Sequence, residues 1–287
     1  HFMKIQEALQ KSSLELKRSG IENPGLDARY LLEWILECDH SYVLLHPEQE
    51  LSAGQEHRYN EVIEKRAQHF PVQYIIGEQE FMGYTFHVDE NVLIPRQDTE
   101  ILVEEALKRM DEGPSEEEQK ITVLDLCCGS GCIGISVKKL RPDAEVTLTD
   151  LSEAALRIAE KNADALQADV KLCQGDLFEG VQGKKYRLLL SNPPYIPSRV
   201  VDTLMPEVRE HEPRLALDGA EDGLVFYRRI AKEAPQFLED EGYVLFEIGF
   251  DQAEDVRKIL VDAGFEQIQV RQDYAGLDRV VIGRKVR

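Results

Sequence analysis

Long apolar segments and paired cysteines are both missing from this chain of 287 residues. No uninterrupted apolar run reaches the roughly 18–20 residues that a membrane-spanning helix needs, and the first residues show no secretory signal pattern. The five cysteines are odd in number and irregularly spaced, which indicates neither a disulfide framework nor a zinc site. We therefore expect a cytoplasmic protein with no membrane partner and no bound metal.

Basic residues are scarce relative to acidic ones. The chain has 34 Lys and Arg against 54 Asp and Glu, for a formal net charge of −20. Proteins that grip bare nucleic acid usually present a basic face to the phosphates, so we expect no direct nucleic-acid binding, although a local basic patch could survive in an acidic total. An acidic balance also favours solubility in general. We expect the protein to be a monomer.

The first 75 residues carry helical signals and almost no strand signals. Asn23-Pro24 and Ser52 are typical helix starts, and apolar residues recur there at helical spacing. We predict an N-terminal helical-bundle domain at 1–75. Two apolar stretches, at 74–77 and 81–88, predict a β-hairpin, and we take residues 76–94 as a connector.

Residues 95–287 are predicted to form the second domain. The segment 111–120 is rich in Glu, Ser, Gly and Pro and predicts a polar surface loop. After residue 120 strand and helix patterns alternate, which predicts a parallel sheet covered by helices on both faces. The last two of seven predicted strands have no helix between them, so one of them should be antiparallel. The predicted strands are 121–126, 145–149, 170–173, 186–190, 243–248, 268–270 and 279–282.

A glycine-rich loop follows the first of these strands and opens a helix. Its candidate ligand-binding residues are Cys127, Cys128, Gly129, Ser130 and Gly131. Asp150 ends the next strand, where a carboxylate can hold the two hydroxyls of a ribose. Together they indicate an adenosine-containing cofactor. Because Gly129-x-Gly131-x-x-Gly134 also satisfies the dinucleotide fingerprint, the loop alone leaves open a nicotinamide cofactor or a tight turn without a ligand.

The segment Asn192-Pro193-Pro194-Tyr195 follows the fourth strand of the sheet. Prolines have a fixed φ and no N–H, and they push the preceding residue toward extended geometry. The loop therefore holds two acceptors, the Asn192 side-chain oxygen and the Pro193 carbonyl, in a set direction. A planar –NH2 group offers two donors, so the match is one to one. The alternative is an ordinary proline turn.

This loop suits the chemistry of an amide nitrogen, whose lone pair is delocalised into the carbonyl. Two acceptors to one side of the amide plane favour pyramidal nitrogen and localise the lone pair. Catalysis by Asn192 and Pro193 would then be mostly positioning and complementarity to the transition state. A strong general base is not required, because the nitrogen becomes acidic as it gains the methyl group. Tyr195 would stack on the planar substrate.

The glycine loop, Asp150 and the 192–195 segment resemble class I, Rossmann-like methyltransferases that modify amino nitrogens. Further stretches resemble the HemK family, the protein-(glutamine-N5) methyltransferases of peptide chain release factors. The resemblance runs from about residue 71 to the end. The stretches that carry it lie at 71–77, 81–83, 93–100, 212–217, 222–224, 247–249 and 275–279.

The HemK resemblance implies a seven-stranded class I methyltransferase sheet and a substrate, the glutamine of the Gly-Gly-Gln loop of class 1 release factors. It implies that the 192–195 segment, Asn192, Pro193, Pro194 and Tyr195, holds the glutamine side chain. It implies that residues 127–131, Asp150, Asp176, Leu177 and Asn192 contact S-adenosyl-L-methionine, and that the helical domain and hairpin help dock the release factor.

Three positions depart from the family pattern. Cys127 stands where the family usually has glycine, and Cys128 where it has a small or hydroxyl residue. Because cysteine is small, we expect the loop to persist with a negative φ at Cys127. Leu177 stands where the family often has an aromatic residue. The sequence leaves open whether Arg96 pairs with a release factor, with Glu100 or within the protein, and whether Glu247 shapes the site or is a buried structural carboxylate.

Two rival functions remain at this point. The same four-residue loop serves nucleic-acid amino-methyltransferases that act on adenine N6 or guanine N2, because an exocyclic base amine is also planar. The acidic balance counts against that function. A cofactor-binding module without catalysis is the second rival, and the intact 192–195 segment counts against it.

Overall fold

The structure is a computed structural model that describes residues 1–112 and 119–287. The predicted polar loop at 111–120 lies mostly outside the described residues. The chain divides into two compact units, one made of His1–Glu78 with Met205–His211 and the other of Gln79–Leu204 with Glu212–Arg287. This division assigns residues 79–87, nearly all of the β-hairpin, to the same unit as 212–287, and it adds the segment Met205–His211 to the helical unit. The domain limits 1–75, 76–94 and 95–287 stay a prediction.

The helical unit is held together by one apolar core. Ile5, Leu32 and Ile63 are among its buried residues. Ser52 caps its helix as predicted, since its hydroxyl accepts a hydrogen bond from Gln55 N at 3.1 Å and the Gln55 side chain accepts one from Ser52 N at 2.8 Å. The α-helices described in this unit are α1 (Ile5–Arg18), α2 (Pro24–Leu36), α3 (His40–Leu45), α4 (Ala53–Ala67) and α5 (Val72–Ile76).

The predicted first hairpin strand at 74–77 is wrong, because these residues form most of α5. Ile75 and Ile76 pack against the helical core. Gly77, in the left-handed region at φ 84°, ends the helix and donates from its N–H to the Gln73 carbonyl at 2.7 Å. A short apolar run does not distinguish a strand from a buried helical turn, so the packing decided it.

A β-hairpin does follow, formed by β1 (Glu78–Phe81) and β2 (Tyr84–His87). Its two turn residues, Met82 and Gly83, both have positive φ, 52° and 80°, as a tight hairpin turn of the I′ kind requires. The Glu100 carboxylate accepts a hydrogen bond from Met82 N at 3.0 Å. This bond fixes the hairpin turn to the start of the next helix.

The second unit is built on a seven-stranded sheet with the order β5-β4-β3-β6-β7-β9-β8. Only β9 among these described strands runs antiparallel to its neighbours, β7 and β8, and β3 to β7 are parallel. The prediction of one antiparallel strand among the last two is confirmed. The strands are β3 (Thr122–Leu126), β4 (Glu145–Asp150), β5 (Lys171–Gln174), β6 (Tyr186–Ser191), β7 (Leu238–Glu247), β8 (Glu266–Gln272) and β9 (Asp278–Arg284).

Helices cover both faces of this sheet, which confirms the predicted fold class. Successive strand residues such as Val123 and Leu124 enter opposite apolar cores. One core receives α6 (Glu100–Asp111), α7 (Cys132–Leu140) and α8 (Glu153–Ala165), and the other receives α11 (Val225–Phe237) and α12 (Ala253–Asp262). Two short helices, α9 (Ser198–Val201) and α10 (Arg214–Leu217), lie in the connection between β6 and α11. No helix among the described residues combines the length and apolarity needed to cross a membrane.

Candidate active site

The predicted site residues follow four neighbouring parallel strands. Leu126 at the end of β3 is in register with Thr149 of β4 on one side and with Ser191 of β6 on the other. Asp150 ends β4, the glycine loop follows β3, Asn192 follows β6, and Asp176 lies just beyond β5. Because carboxyl ends of parallel strands share one edge of the sheet, residues up to 65 positions apart meet there.

The glycine loop turns sharply through residues in the left-handed region. Gly129 and Gly131 have φ of 54° and 83°. Cys128 N donates to Thr149 O at 2.9 Å, and Gly131 N donates to Cys128 O at 2.8 Å. A Cβ on Gly131 would lie 2.7 Å from the end of the Ile135 side chain, which would have to shift, and the positive φ favours glycine there.

Cys127 corrects one of our expectations. Its φ is 59°, whereas we expected a negative value. The turn from β3 into the loop therefore starts with a left-handed residue. Non-glycine residues adopt this region only at an energetic cost, so glycine would fit this position with less strain.

Asp150 accepts main-chain hydrogen bonds on both carboxylate oxygens, and one of these bonds reaches the glycine loop. Oδ2 accepts from Gly129 N and Oδ1 accepts from Ser152 N, both at 2.9 Å. Burial raises the pKa of Asp150, and these main-chain donors act against the rise. The carboxylate therefore holds the loop from the side and lies on the wall of the adjoining cavity.

Asp125 lies in β3, two residues before the glycine loop, and is fully buried. Its Oδ2 accepts from Gly134 N at 3.0 Å, and its Oδ1 has no hydrogen-bond partner in the part of the chain that the structure describes. Burial raises the pKa of Asp125 to about 8. No pattern in the sequence indicates this state of Asp125, which depends on how the surrounding strands and helices pack.

One cavity joins most of the predicted site residues. Gly131, Pro193 and Tyr195 are outside its wall, although each is next in the chain to a residue on it. Arg96, Thr99, Leu151 and Phe226 also line it, and the sequence analysis gave none of them a place there. The predicted residues on the wall are Cys127, Cys128, Gly129, Ser130, Asp150, Asp176, Leu177, Asn192 and Pro194.

Asp176 and Leu177 have further contacts that the sequence did not indicate. The Asp176 carboxylate accepts a hydrogen bond from Arg229 of α11 at 2.7 Å and is about half exposed. Leu177 has a φ of 55° and belongs to the apolar core next to Phe178. The leucine therefore faces the cavity while its side chain also packs into the core.

The 192–195 segment is held at its start by Ser191. This buried hydroxyl donates to Leu126 O at 2.9 Å. Pro193 and Pro194 are buried, and Asn192 and Tyr195 are partly exposed. Beyond the segment, Ile196 N donates to Leu217 O at 3.0 Å. The loop is thus a short, buried bridge between the end of β6 and the 217–219 region.

The cysteines around the cavity are free thiols. Burial raises the pKa values of Cys127, Cys128 and Cys132, in the last case to about 12, so all three are uncharged at neutral pH and are weak nucleophiles. Within residues 1–112 and 119–287, His, Cys, Asp and Glu side chains form no group of three or more that could hold a metal ion.

Arg96 pairs within the protein. Its guanidinium donates to Glu212 at 2.5 and 3.2 Å and to Ile94 O at 2.8 Å. The Glu212 side chain is 2% exposed, and it also accepts from Ile94 N at 3.0 Å. Of the roles left open by the sequence, the structure shows the structural ion pair, with a partner that the sequence did not single out.

Glu247 ends β7 and is buried, but it is not on the cavity wall. Burial raises the pKa of this carboxyl to about 7, while Thr99 and Arg279 act against the rise. Its Oε1 has no hydrogen-bond partner among the described residues. Glu247 is therefore a buried carboxyl outside the cavity wall.

Residues 7–77 match the family model described as PrmC N-terminal domain, and residues 98–211 match the one described as methyltransferase small domain. A release factor glutamine methyltransferase of Geobacter sulfurreducens is 40% identical, over 98% of this chain and 96% of its own length. The chain belongs to the release factor glutamine methyltransferase family. A second member, from Clostridium acetobutylicum, is 39% identical over 98% of both chains.

Membership of the release factor glutamine methyltransferase family confirms the HemK resemblance. Among solved structures, a methyltransferase from Pyrococcus furiosus is similar, with a TM-score of 0.54 and 16% identity over 82% of this chain and 100% of that chain. At this identity the likeness concerns the fold alone. The roles of individual residues in the site stay predictions.

Proposed function

We propose that this protein transfers a methyl group from S-adenosyl-L-methionine to the side-chain amide nitrogen, N5, of the glutamine in the Gly-Gly-Gln loop of class 1 peptide chain release factors. The observation that carries the proposal is that Asn192 and Pro194 line the same cavity as Asp150 and the glycine loop. Near-complete coverage by family members at about 40% identity supports the same substrate.

The cavity suits an adenosine-containing sulfonium compound. Asp150 offers a carboxylate at the end of β4, where a ribose diol can be held. At Gly129 a Cβ would meet nothing within 4 Å, so the open side of the loop leaves room for a ligand. Leu151 and Leu177 form an apolar part of the cavity wall. When bound, S-adenosyl-L-methionine supplies an electrophilic methyl group.

The residues of the 192–195 segment bind and orient the substrate amide in this proposal. The Asn192 side-chain oxygen and the Pro193 carbonyl accept the two N–H groups of the glutamine amide. Tyr195 packs beside the planar group. The contribution of these residues is positioning rather than proton abstraction. Glu247, the nearby buried carboxyl, needs no place on the cavity wall in such a reaction.

A side-by-side methyl-transfer assay tests the proposal. Protein with radiolabelled S-adenosyl-L-methionine is given a purified class 1 release factor, the same factor with its loop glutamine replaced by alanine, and duplex DNA or ribosomal RNA. We expect label only in the unmodified release factor. Asn192→Ala should lower the rate by at least about 100-fold, and Gln182→Ala, at an exposed residue, should not.

Two outcomes would contradict this function. Label in nucleic acid with none in the release factor would favour the base-amine alternative. Equal rates for Asn192→Ala and the unmutated protein would remove the assigned role of the loop, whatever the substrate.

A further inference from the structure

Gln252 reaches the 192–195 segment from helix α12, 57 residues later in the chain. It is the N-terminal cap residue of that helix and is 7% exposed. Its Nε2 donates to the Tyr195 carbonyl at 2.8 Å and lies 3.5 Å from the Gly223 carbonyl. Its Oε1 accepts from Gly249 N at 2.9 Å. One buried amide therefore joins three separate segments.

The backbone around this amide is packed too closely for side chains. Gly223 has a φ of 75°, and a Cβ there would lie 2.4 Å from Tyr195 O and 3.1 Å from Gln252 Nε2. A Cβ on Gly219 would lie 2.9 Å from Tyr195 Cα. The main chain of Tyr195 is thus enclosed by two glycines and one amide donor, which leaves its carbonyl little freedom to rotate.

A neutral amide matches these partners. The Tyr195 and Gly223 carbonyls need a donor, while Gly249 N needs an acceptor. A buried carbonyl or N–H without a partner costs about 1–3 kcal/mol. Glutamine satisfies both demands without burying a charge, so the residue type follows from the geometry.

The two ends of the 192–195 segment are consequently fixed by different side chains. Ser191 holds the first end through its bond to Leu126 O, and Gln252 holds the last through Tyr195 O. Between them lie two prolines, whose fixed φ transmits orientation along the segment. Gln252 itself is not on the cavity wall, so any influence on the reaction passes through the loop.

We infer that Gln252 is a positioning residue for methyl transfer, which fixes the direction of the Asn192 and Pro193 acceptors by holding the Tyr195 carbonyl. The inference rests on the proposed function. Small displacements of a reacting group are costly, with about 100-fold in rate for roughly 1 Å. Loss of the hydrogen bond from Gln252 to the Tyr195 carbonyl should therefore lower kcat, while the substrate still binds.

The variant Gln252→Glu tests this without changing side-chain size. Its carboxylate still accepts from Gly249 N but turns an oxygen toward Tyr195 O and Gly223 O. Rates are divided by the concentration of cofactor-binding protein, so that unfolded molecules do not count. At about pH 8.5 we expect kcat to fall by on the order of 100-fold, with KM for the release factor changed by less than about threefold.

The pH dependence of kcat in Gln252→Glu distinguishes a positioning role from a merely structural one. Burial raises the pKa of a carboxyl, and the protonated form can again donate to Tyr195 O. The ratio of variant to unmutated kcat should therefore rise by at least about fivefold between about pH 8.5 and about pH 6. Gln182→Glu, at an exposed glutamine whose amide donates to Phe178 O, should show no such rise.

Gln252→Met, of similar length and without polar atoms, should have a low kcat at every pH. At about pH 8.5, a kcat within about twofold of the unmutated value for either folded Gln252 variant would overturn the inference. Variants that bind no cofactor at all would also overturn it, because Gln252 would then be needed only for folding. An unmutated protein that methylates no release factor would instead refute the proposed function.

Discussion

The Asp150 carboxylate accepts a 2.9 Å hydrogen bond from the main-chain N–H of Gly129, 21 residues earlier in the chain. Its second oxygen is bonded to Ser152 N at the same distance. Asp150, which the sequence predicts as a ribose ligand, thus also holds the glycine loop in place. Both roles depend on a carboxylate that can accept on both sides.

Replacement of Asp150 by asparagine should weaken ligand binding, whereas the same replacement of an exposed acidic residue should not. The amide keeps one acceptor and turns a donor toward a main-chain N–H, so either the bond from Gly129 N or the bond from Ser152 N is lost. We expect Asp150→Asn to weaken S-adenosylhomocysteine binding by about 10- to 100-fold, measured by titration calorimetry. Asp262→Asn, at an exposed position of α12, is the matched control. Unchanged affinity in Asp150→Asn would contradict the assigned site.

The positive φ of Cys127 predicts an unusual order of stability among its variants. Cys127→Gly should stay within about 1 kcal/mol of the unmutated free energy of unfolding, because relief of strain offsets the added flexibility of the unfolded chain. Cys127→Val should lose more than about 2 kcal/mol, since a β-branched residue tolerates this conformation poorly. Urea denaturation measures both. Equal stability of the two variants would show that the turn does not require a left-handed residue.

Gly223→Ala should lower activity through a steric clash, in addition to the backbone strain of alanine at a positive φ. The added methyl group would lie 2.4 Å from Tyr195 O, and the loop must shift. We expect methyl transfer to fall by at least about 100-fold. Gly183→Ala has a similar φ of 78° with nothing within 4 Å, so it should cost only about 1 kcal/mol of stability and leave activity intact. Similar activity of the two variants would contradict the close packing at Tyr195.

Asp125 predicts a pH dependence of stability. Its pKa is raised from 3.8 to about 8 by burial, so the folded protein binds this proton more tightly than the unfolded chain. The stabilisation is fully present below the unfolded pKa and is lost as pH rises through about 8.

The variant Asp125→Asn cannot titrate at this position. Its free energy of unfolding relative to the unmutated protein should therefore increase by at least about 1 kcal/mol between about pH 5 and pH 8. Urea denaturation at several pH values measures the difference, and Glu247, which titrates with the same sign, cancels because both proteins contain it. Parallel curves for the two proteins would contradict a raised pKa at Asp125.

Several features of the fold were predictable because their causes are local. The hydrophobic periodicity of the sequence after residue 120 predicts the alternation of strands and helices there. Helix α6 carries an equally regular pattern, with Ile101, Leu102 and Ala106 buried, and the sequence analysis overlooked it. Its signal was present in the chain, unlike that of α5, whose short apolar run fits two structures.

The sequence by itself determined which residues follow the parallel strands, and hence that the glycine loop, Asp150 and Asn192 meet at one edge. Strand ends and turn residues are set by neighbours in the chain, and parallel pairing does the rest. Only the tertiary structure decided the left-handed φ of Cys127, the Arg96–Glu212 ion pair and the hydrogen bond from Gln252 to the Tyr195 carbonyl. Each of these depends on backbone atoms or side chains brought together from distant segments, and no local pattern encodes such distances.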